Sequence, residues 1–156
     1  MGADGFLCDA MLGRLARWLR AAGHDALLAD EESDDAKLLN VAANERRLLL
    51  TRDRRMAERN AARGRILVLR AETTEGQARE LKRELGIDWL HAPFSRCVVD
   101  NTPLRPATEK ETAALPAKVR TLGGPVRACP TCGRVYWTGD HHRRMRERLE
   151  DWNGDH

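Results

Sequence analysis

The sequence predicts an α/β domain built on a parallel sheet, followed by a small cysteine-bearing segment, and three observations carry that prediction. Between residues 6 and 89, short apolar runs alternate with amphipathic stretches, the order of repeated β-α units that close a parallel sheet through right-handed crossovers. All six prolines lie between Pro93 and Pro130, so regular secondary structure must be sparse there. Three of the four cysteines fall in the same half, where covalent or metal links would compensate for a core too small to hold unaided. The boundary falls near residue 91, giving segments 1–90 and 91–156.

Each element has its own signature. Phe6 to Cys8 is a short apolar strand, and Met11 to Ala22 a helix whose Leu12, Leu15, Ala16, Leu19 and Ala22 form a buried stripe, with Arg17 and Arg20 expected on the opposite face. Gly23 suits the left-handed turn that closes a helix. After a strand at Ala26 to Ala29, Ser33-Asp34-Asp35 offers a capping hydroxyl and two carboxylates to the start of a second helix. Leu48 to Thr51 reads as a strand buried on both faces. Asp53 opens an arginine-rich helix ending near Gly64, and Arg65 to Arg70 supplies a fourth strand. Thr74 and Gln77 have capping-box spacing before a helix that Gly86 terminates. His141 to Trp152 reads as a basic terminal helix.

Composition narrows the function classes. The chain of 156 residues has no run approaching a membrane span and no basic, apolar, small-residue order at its start, which predicts a cytoplasmic protein. Net charge is only +3, yet residues 46–70 hold nine arginines (46, 47, 52, 54, 55, 59, 63, 65 and 70) against Asp53 and Glu58. That cluster reads as a face for a polyanion, or else as a solvated charged helix. Cys129-Pro-Thr-Cys132 is followed by Gly-Arg-Val-Tyr-Trp rather than a helix, which favours metal over redox chemistry.

The topology then gathers acids. In parallel β-α units every strand's carboxyl end faces one edge, so Asp9, Asp34, Asp35 and Asp53 should converge there. Clustered carboxylates repel unless a hard cation neutralises them, and Mg²⁺ or Mn²⁺, bound by a few carboxylates with water and phosphate oxygens, suits the set. Such ions activate water in phosphodiester hydrolysis. The alternatives are that each Asp caps a helix, or that Arg52, Arg54 and Arg55 pair with these acids in surface networks.

Phe-Leu-Cys-Asp9, the helix ending Leu-Gly-Arg-Leu-Ala-Arg-Trp-Leu-Arg20, Asp34-Asp35, Leu-Leu-Leu-Thr-Arg-Asp53, Arg96-Cys97 and Cys129-Pro-Thr-Cys132-Gly-Arg-Val-Tyr-Trp137 together resemble the Mut7-C family of PIN-like ribonucleases, over about residues 5 to 145. The resemblance implies a PIN-like three-layer α/β/α domain fused to a zinc ribbon, and metal-dependent RNA cleavage with Asp9, an acid of the Asp34-Asp35 pair and Asp53 at the acidic positions. A fourth acid is usual in such sites; Glu58, Glu72 and Glu75 are candidates with no distinguishing spacing. The family's first knuckle reads Arg-Cys-x-x-Cys-Asn, whereas this chain has Arg96-Cys97-Val-Val-Asp100-Asn101 and so lacks one thiolate.

With Cys97, Cys129 and Cys132 assigned to zinc by that pattern, the fourth ligand is either Asp100 or one of His141 and His142, or the metal has been lost. Cys8 reads as a buried strand thiol, and Tyr136 and Trp137 either stack on bases or form the ribbon's small core. The expectation is a divalent-metal-dependent endoribonuclease. Asp9 and Asp53 would hold Mg²⁺ or Mn²⁺, Arg14, Arg17, Arg20, Arg52, Arg54 and Arg55 would contact RNA, and any structural zinc would sit in an altered ribbon. A non-catalytic RNA-binding adaptor using the arginine face and the ribbon is the alternative.

Overall fold

The computed structural model of the chain describes residues 5–60 and 65–154. Four strands, β1 (Gly5–Cys8), β2 (Ala26–Leu28), β3 (Arg47–Thr51) and β4 (Ile66–Val68), pair in parallel in the order β2-β1-β3-β4. The connecting helices are α1 (Gly13–Ala21), α2 (Asp35–Asn44) and α3 (Arg54–Arg59), with α4 (Thr74–Leu85) following β4. The chain is α/β, as the alternation predicted.

Side-chain alternation along the strands divides the interior into two layers. Cys8, Leu48, Leu50 and Leu69 pack with Leu15, Ala16 and Leu19 of α1 and with Ala78 and Leu81 of α4. Leu7 and Leu49 face the other way, onto Leu38, Leu39 and Ala42 of α2 and Met56 of α3. Helices therefore cover both faces of the sheet, and the buried stripe read from α1 is the one observed.

Several local details differ from the sequence reading. The first helix begins as a 3-10 turn at Ala10–Leu12 and becomes α-helical only at Gly13. The cap of α2 is Asp34, which accepts from the Lys37 N–H at 2.8 Å, while the Ser33 hydroxyl donates to Asp30 instead. Likewise α4 is capped by Thr73, which accepts from the Gly76 N–H, and Gln77 donates to the Ala71 carbonyl rather than closing a capping box. The helix after Asp53 ends at Arg59, and the expected end near Gly64 lies outside the described residues. Arg20, expected on the outer face of α1, is only 6% exposed.

The second segment holds a small antiparallel sheet of β5 (Arg105–Pro106), β6 (Arg127–Ala128) and β7 (Val135–Tyr136), together with the short helices α5 (Glu109–Ala113) and α6 (Ala117–Arg120). The terminal helix α7 (Asp140–Asn153) then returns to the first core. Its Leu149 and Trp152 are buried among α1 and α4 residues, and the Trp152 ring meets Trp18 and Trp89 edge-on at 4.7 and 5.3 Å. Segment 91–156 is thus continuous in sequence but packs partly within the first domain's interior. Gly23, at φ +95°, sits where a Cβ would come within 2.3 Å of the Ala92 carbonyl oxygen, and that bare backbone lets the segment's first loop close against the end of α1. Among the described residues no helix is long and apolar enough to cross a membrane.

Candidate active site and metal centre

In the order β2-β1-β3-β4 the chain leaves β1 in one direction and β3 in the other, so the crevice between the carboxyl ends of β1 and β3 is the topological switch point, where open α/β sheets bind ligands. Asp9 follows β1, and Thr51 closes β3 two residues before Asp53. The buried Thr51 hydroxyl donates to Asp9 Oδ2 at 2.9 Å and accepts from the Asp53 backbone N–H at 3.0 Å. A single hydroxyl therefore joins the two acid-bearing turns.

The capping alternative separates the acids. Asp53 Oδ1 accepts from the Met56 N–H and caps α3, and Asp34 caps α2. Asp9 makes no capping hydrogen bond, although it occupies the cap position of the 3-10 turn. Asp35 pairs with Arg59 of α3 at 3.3 Å. Asp30, two residues after the end of β2, is a further acid at this edge that the sequence reading passed over; its signal was only that it follows a strand-like run. Its Oδ1 accepts from the Ser33 hydroxyl and the Glu32 N–H.

These acids share an edge of the sheet but not a ligand shell: among the described residues the cluster in the second segment is the only set of three or more His, Cys, Asp or Glu with ligand atoms close enough to hold one ion. Asp9 and Asp53 nevertheless offer hard oxygen donors from two adjacent turns, the minimal protein contribution to a magnesium ion that keeps much of its water. Close by, an open groove of about 600 Å³ runs between the start of α1 and the start of α4, lined by Met11, Arg14, Glu72, Thr73 and Thr74. Of the three glutamates considered for a fourth acid, Glu72 is the one that lines this groove together with the turn after Asp9.

The arginine window does not form one face. Arg46, Arg47 and Arg65 lie at the amino ends of β3 and β4, where Arg47 is paired with Asp25 at 2.8 Å and Glu45 at 2.9 Å. Arg52, Arg54 and Arg55 are exposed beside Asp53 at the carboxyl edge, and Arg14 and Arg17 are exposed on α1; Arg63 lies outside the described residues.

The metal centre is built from two knuckles. Cys97, Asp100, Cys129 and Cys132 each bring one ligand atom within 4.8 Å of all the others. Ligands about 2.3 Å from a tetrahedral zinc stand roughly 3.7 Å apart, and the Cys97 and Cys132 sulfurs are 3.7 Å apart while Cys129 Sγ lies 3.3 Å from Asp100 Oδ2. The set fits zinc, with the Asp100 oxygen in the place of the fourth sulfur. Each knuckle turns through a left-handed residue after its second ligand, Asn101 at φ +74° and Gly133 at φ +79°. Burial works against the charge of Asp100, but the Thr102 N–H and hydroxyl and the Cys129 and Cys97 thiols outweigh it and hold the carboxyl well below its usual range. Neither histidine belongs to the cluster: His142 packs tilted against Phe94, and His141 is exposed on α7. Cys8, by contrast, is fully buried in the strand, and burial pushes its thiol up to about 12, which leaves it inert.

Two buried polar side chains dock the first knuckle on the sheet. Arg20 donates to the carbonyls of Ala26, Val98 and Val99 at 2.8, 3.1 and 3.0 Å. Asn101 accepts from the Ala26 N–H at 3.0 Å and donates to Asp25 at 2.7 Å. The knuckle thereby satisfies the backbone of the edge strand β2, which would otherwise invite pairing with another chain. Arg20 is thus a structural clamp rather than a surface contact, a role the sequence hinted at only through its position four residues after the buried Ala16.

A family model described as the Mut7-C RNAse domain matches residues 4–149. No curated protein and no solved structure matches the chain significantly.

Proposed function

The chain belongs to the Mut7-C RNAse domain family, and from that membership together with the geometry of the sheet's carboxyl edge we propose that it is a divalent-metal-dependent endoribonuclease acting at Asp9 and Asp53. Family membership suggests a nuclease with RNA as its substrate; the metal dependence and the residues are our reading. The observation that carries the reading is the Asp9–Thr51–Asp53 link. Asp9 is the one acid of the predicted set that makes neither a capping hydrogen bond nor an ion pair with an arginine among the described residues, and Thr51 holds its carboxylate at the switch point.

Asp9 and Asp53 would hold Mg²⁺ or Mn²⁺, which when bound supplies water activation and stabilises the leaving oxygen. Thr51 fixes the rotamer of Asp9 by donating to one oxygen, leaving the other available. Arg52, Arg54 and Arg55 stand beside Asp53 and would receive the phosphates, and Arg14 would do the same in the adjoining groove. Glu72, in that groove, is our choice for the additional acid, and Asp34 and Asp35 act through the folding and placement of α2. The knuckle cluster can hold a metal such as zinc, and its role would be to fold the second segment.

The test is cleavage of labelled RNA by pure protein with Mn²⁺, compared with Asp9→Asn and Asp53→Asn. We expect both variants to bind RNA yet lose hydrolysis. Binding without cleavage in the parent as well would return the protein to the adaptor reading.

A further inference from the structure

A second groove, which shares no residue with the carboxyl edge, lies where the small sheet meets α7. It measures about 270 Å³ and is lined by Phe94, Arg127, Tyr136, Trp137, His142 and Arg146, among others. Trp137 is 39% exposed, whereas Trp89 and Trp152 are at most 1% exposed. Its indole rests over the bare backbone of Gly139, where a Cβ would come within 3.2 Å of the ring nitrogen. Phe94 is held at φ +60°, a conformation that a bulky side chain rarely adopts, by its N–H donating to Ala21 at 2.7 Å and its carbonyl accepting from Arg127 at 2.9 Å. That backbone presents the Phe94 ring to the His142 imidazole, with centroids 3.9 Å apart. Burial, and then Arg146 and Arg127, push the His142 pKa down, which favours the neutral ring in its tilted packing against Phe94.

We propose that this groove is a subsite for an unpaired nucleotide of single-stranded RNA, with the base stacked on Trp137 and the flanking phosphates met by Arg127 and Arg146. The inference rests on the reading of RNA as the substrate and adds where the strand is gripped away from the acids. Three features select this occupant. Exposed aromatic faces are reached by splayed bases and not by paired ones. Arg127 and Arg146 line the groove and Arg143 lines the hollow that adjoins it, so cationic side chains that complement a phosphate backbone border the aromatic face, with Arg146 3.7 Å from Glu150 and Arg143 beside Asp140. The volume is that of a single residue of the strand, so recognition here is local and tolerant of sequence.

The experiment uses full-length protein carrying Asp9→Asn, so that RNA survives, and three labelled probes: a ten-nucleotide single strand, its abasic equivalent, and the same sequence as a duplex. Binding is followed by anisotropy and by tryptophan fluorescence. The base-bearing strand should quench fluorescence and bind more tightly than the abasic strand or the duplex. Trp137→Ala should abolish the quench and weaken the base-bearing strand by about tenfold or more, with the abasic strand unaffected. Trp137→Phe, which keeps an aromatic face, should restore most of the affinity and guards against a folding defect. Arg146→Gln should lower the salt dependence, which Trp137→Ala leaves unchanged.

Equal binding of abasic and base-bearing strands, or no RNA binding at all, overturns the subsite, as does a Trp137→Ala protein within twofold of its parent. The cleavage assay separates the two readings. Trp137-dependent binding with no hydrolysis by the parent protein, in which Asp9 is intact, removes the ribonuclease reading and leaves the subsite, whereas hydrolysis by the parent with Trp137-independent binding does the reverse.

Discussion

Thr51 Oγ1 stands 2.9 Å from Asp9 Oδ2, and the same oxygen accepts the Asp53 N–H at 3.0 Å, so the ends of two adjacent parallel strands are fixed to each other by one hydroxyl. Thr51→Val keeps the shape and removes both bonds. Leaving these partners unsatisfied should lower stability by roughly 1–3 kcal/mol, and RNA cleavage should fall by about 10- to 100-fold, the usual penalty for losing a group that orients a ligand. Thr51→Ser should restore both. Urea denaturation alongside a cleavage assay checks the pair of effects, and a Val variant that cleaves at the parental rate would show that Asp9 needs no such positioning.

Arg20 and Arg17 are three residues apart on α1 and should behave differently. Replacing the buried Arg20 with Met strands the Ala26, Val98 and Val99 carbonyls, and roughly 3 kcal/mol should be lost. Arg17→Met is exposed and should change stability by no more than about 0.5 kcal/mol, while weakening RNA binding at low salt. Paired denaturation curves test the contrast, and equal stabilities would remove the clamp.

Asp100 places a hard oxygen among three sulfurs, and thiolate suits zinc better. Zinc in the parent should be released to a chelator more readily than from Asp100→Cys. That variant should also melt at a higher temperature, because metal binding at such knuckles is folding free energy. Metal analysis after graded chelation, with calorimetry of both proteins, gives the answer. Absence of zinc from both proteins, with identical melting, would mean that the knuckles fold by packing alone.

Burial holds the His24 pKa below its ordinary value, against the pull of the Asp88 carbonyl that its Nε2 meets at 2.8 Å. His142 is shifted the same way. With the folded value below the unfolded one, the unfolded chain binds the proton first as pH falls. Stability should therefore be full above about pH 6.5 and decline through the window beneath it. His24→Gln should show a shallower decline from pH 7.5 to 5, and the His24→Gln, His142→Gln double variant a shallower one still. A parental slope in the double variant would assign the acid sensitivity to other groups.

Much of this was legible in the sequence because the information is local. Period-2 and period-3.6 patterns fix which face of a strand or helix is apolar, and so the parallel sheet and the stripe of Leu12, Leu15, Ala16 and Leu19 followed from residue order. The Cys129-Pro-Thr-Cys132 spacing marked one pair of metal ligands, whereas Cys97 came from the family resemblance and the choice of Asp100 over His141 or His142 only from the fold that brings the two knuckles together. Tertiary structure alone decided which partner each polar group found. Asp9, Asp34 and Asp53 all precede helical turns, but only packing of β1 beside β3 brings the Thr51 hydroxyl to Asp9 and leaves the other two to cap. Arg20 lies inward because carbonyls 78 and 79 residues later come to meet it, and the arginines of residues 46–70 are divided between two edges because both β3 and β4 cross the sheet within that window. The return of Trp152 to the first core is of the same kind: a contact across the whole chain depends on where an apolar surface remains uncovered once every other element has packed, and no local pattern encodes that.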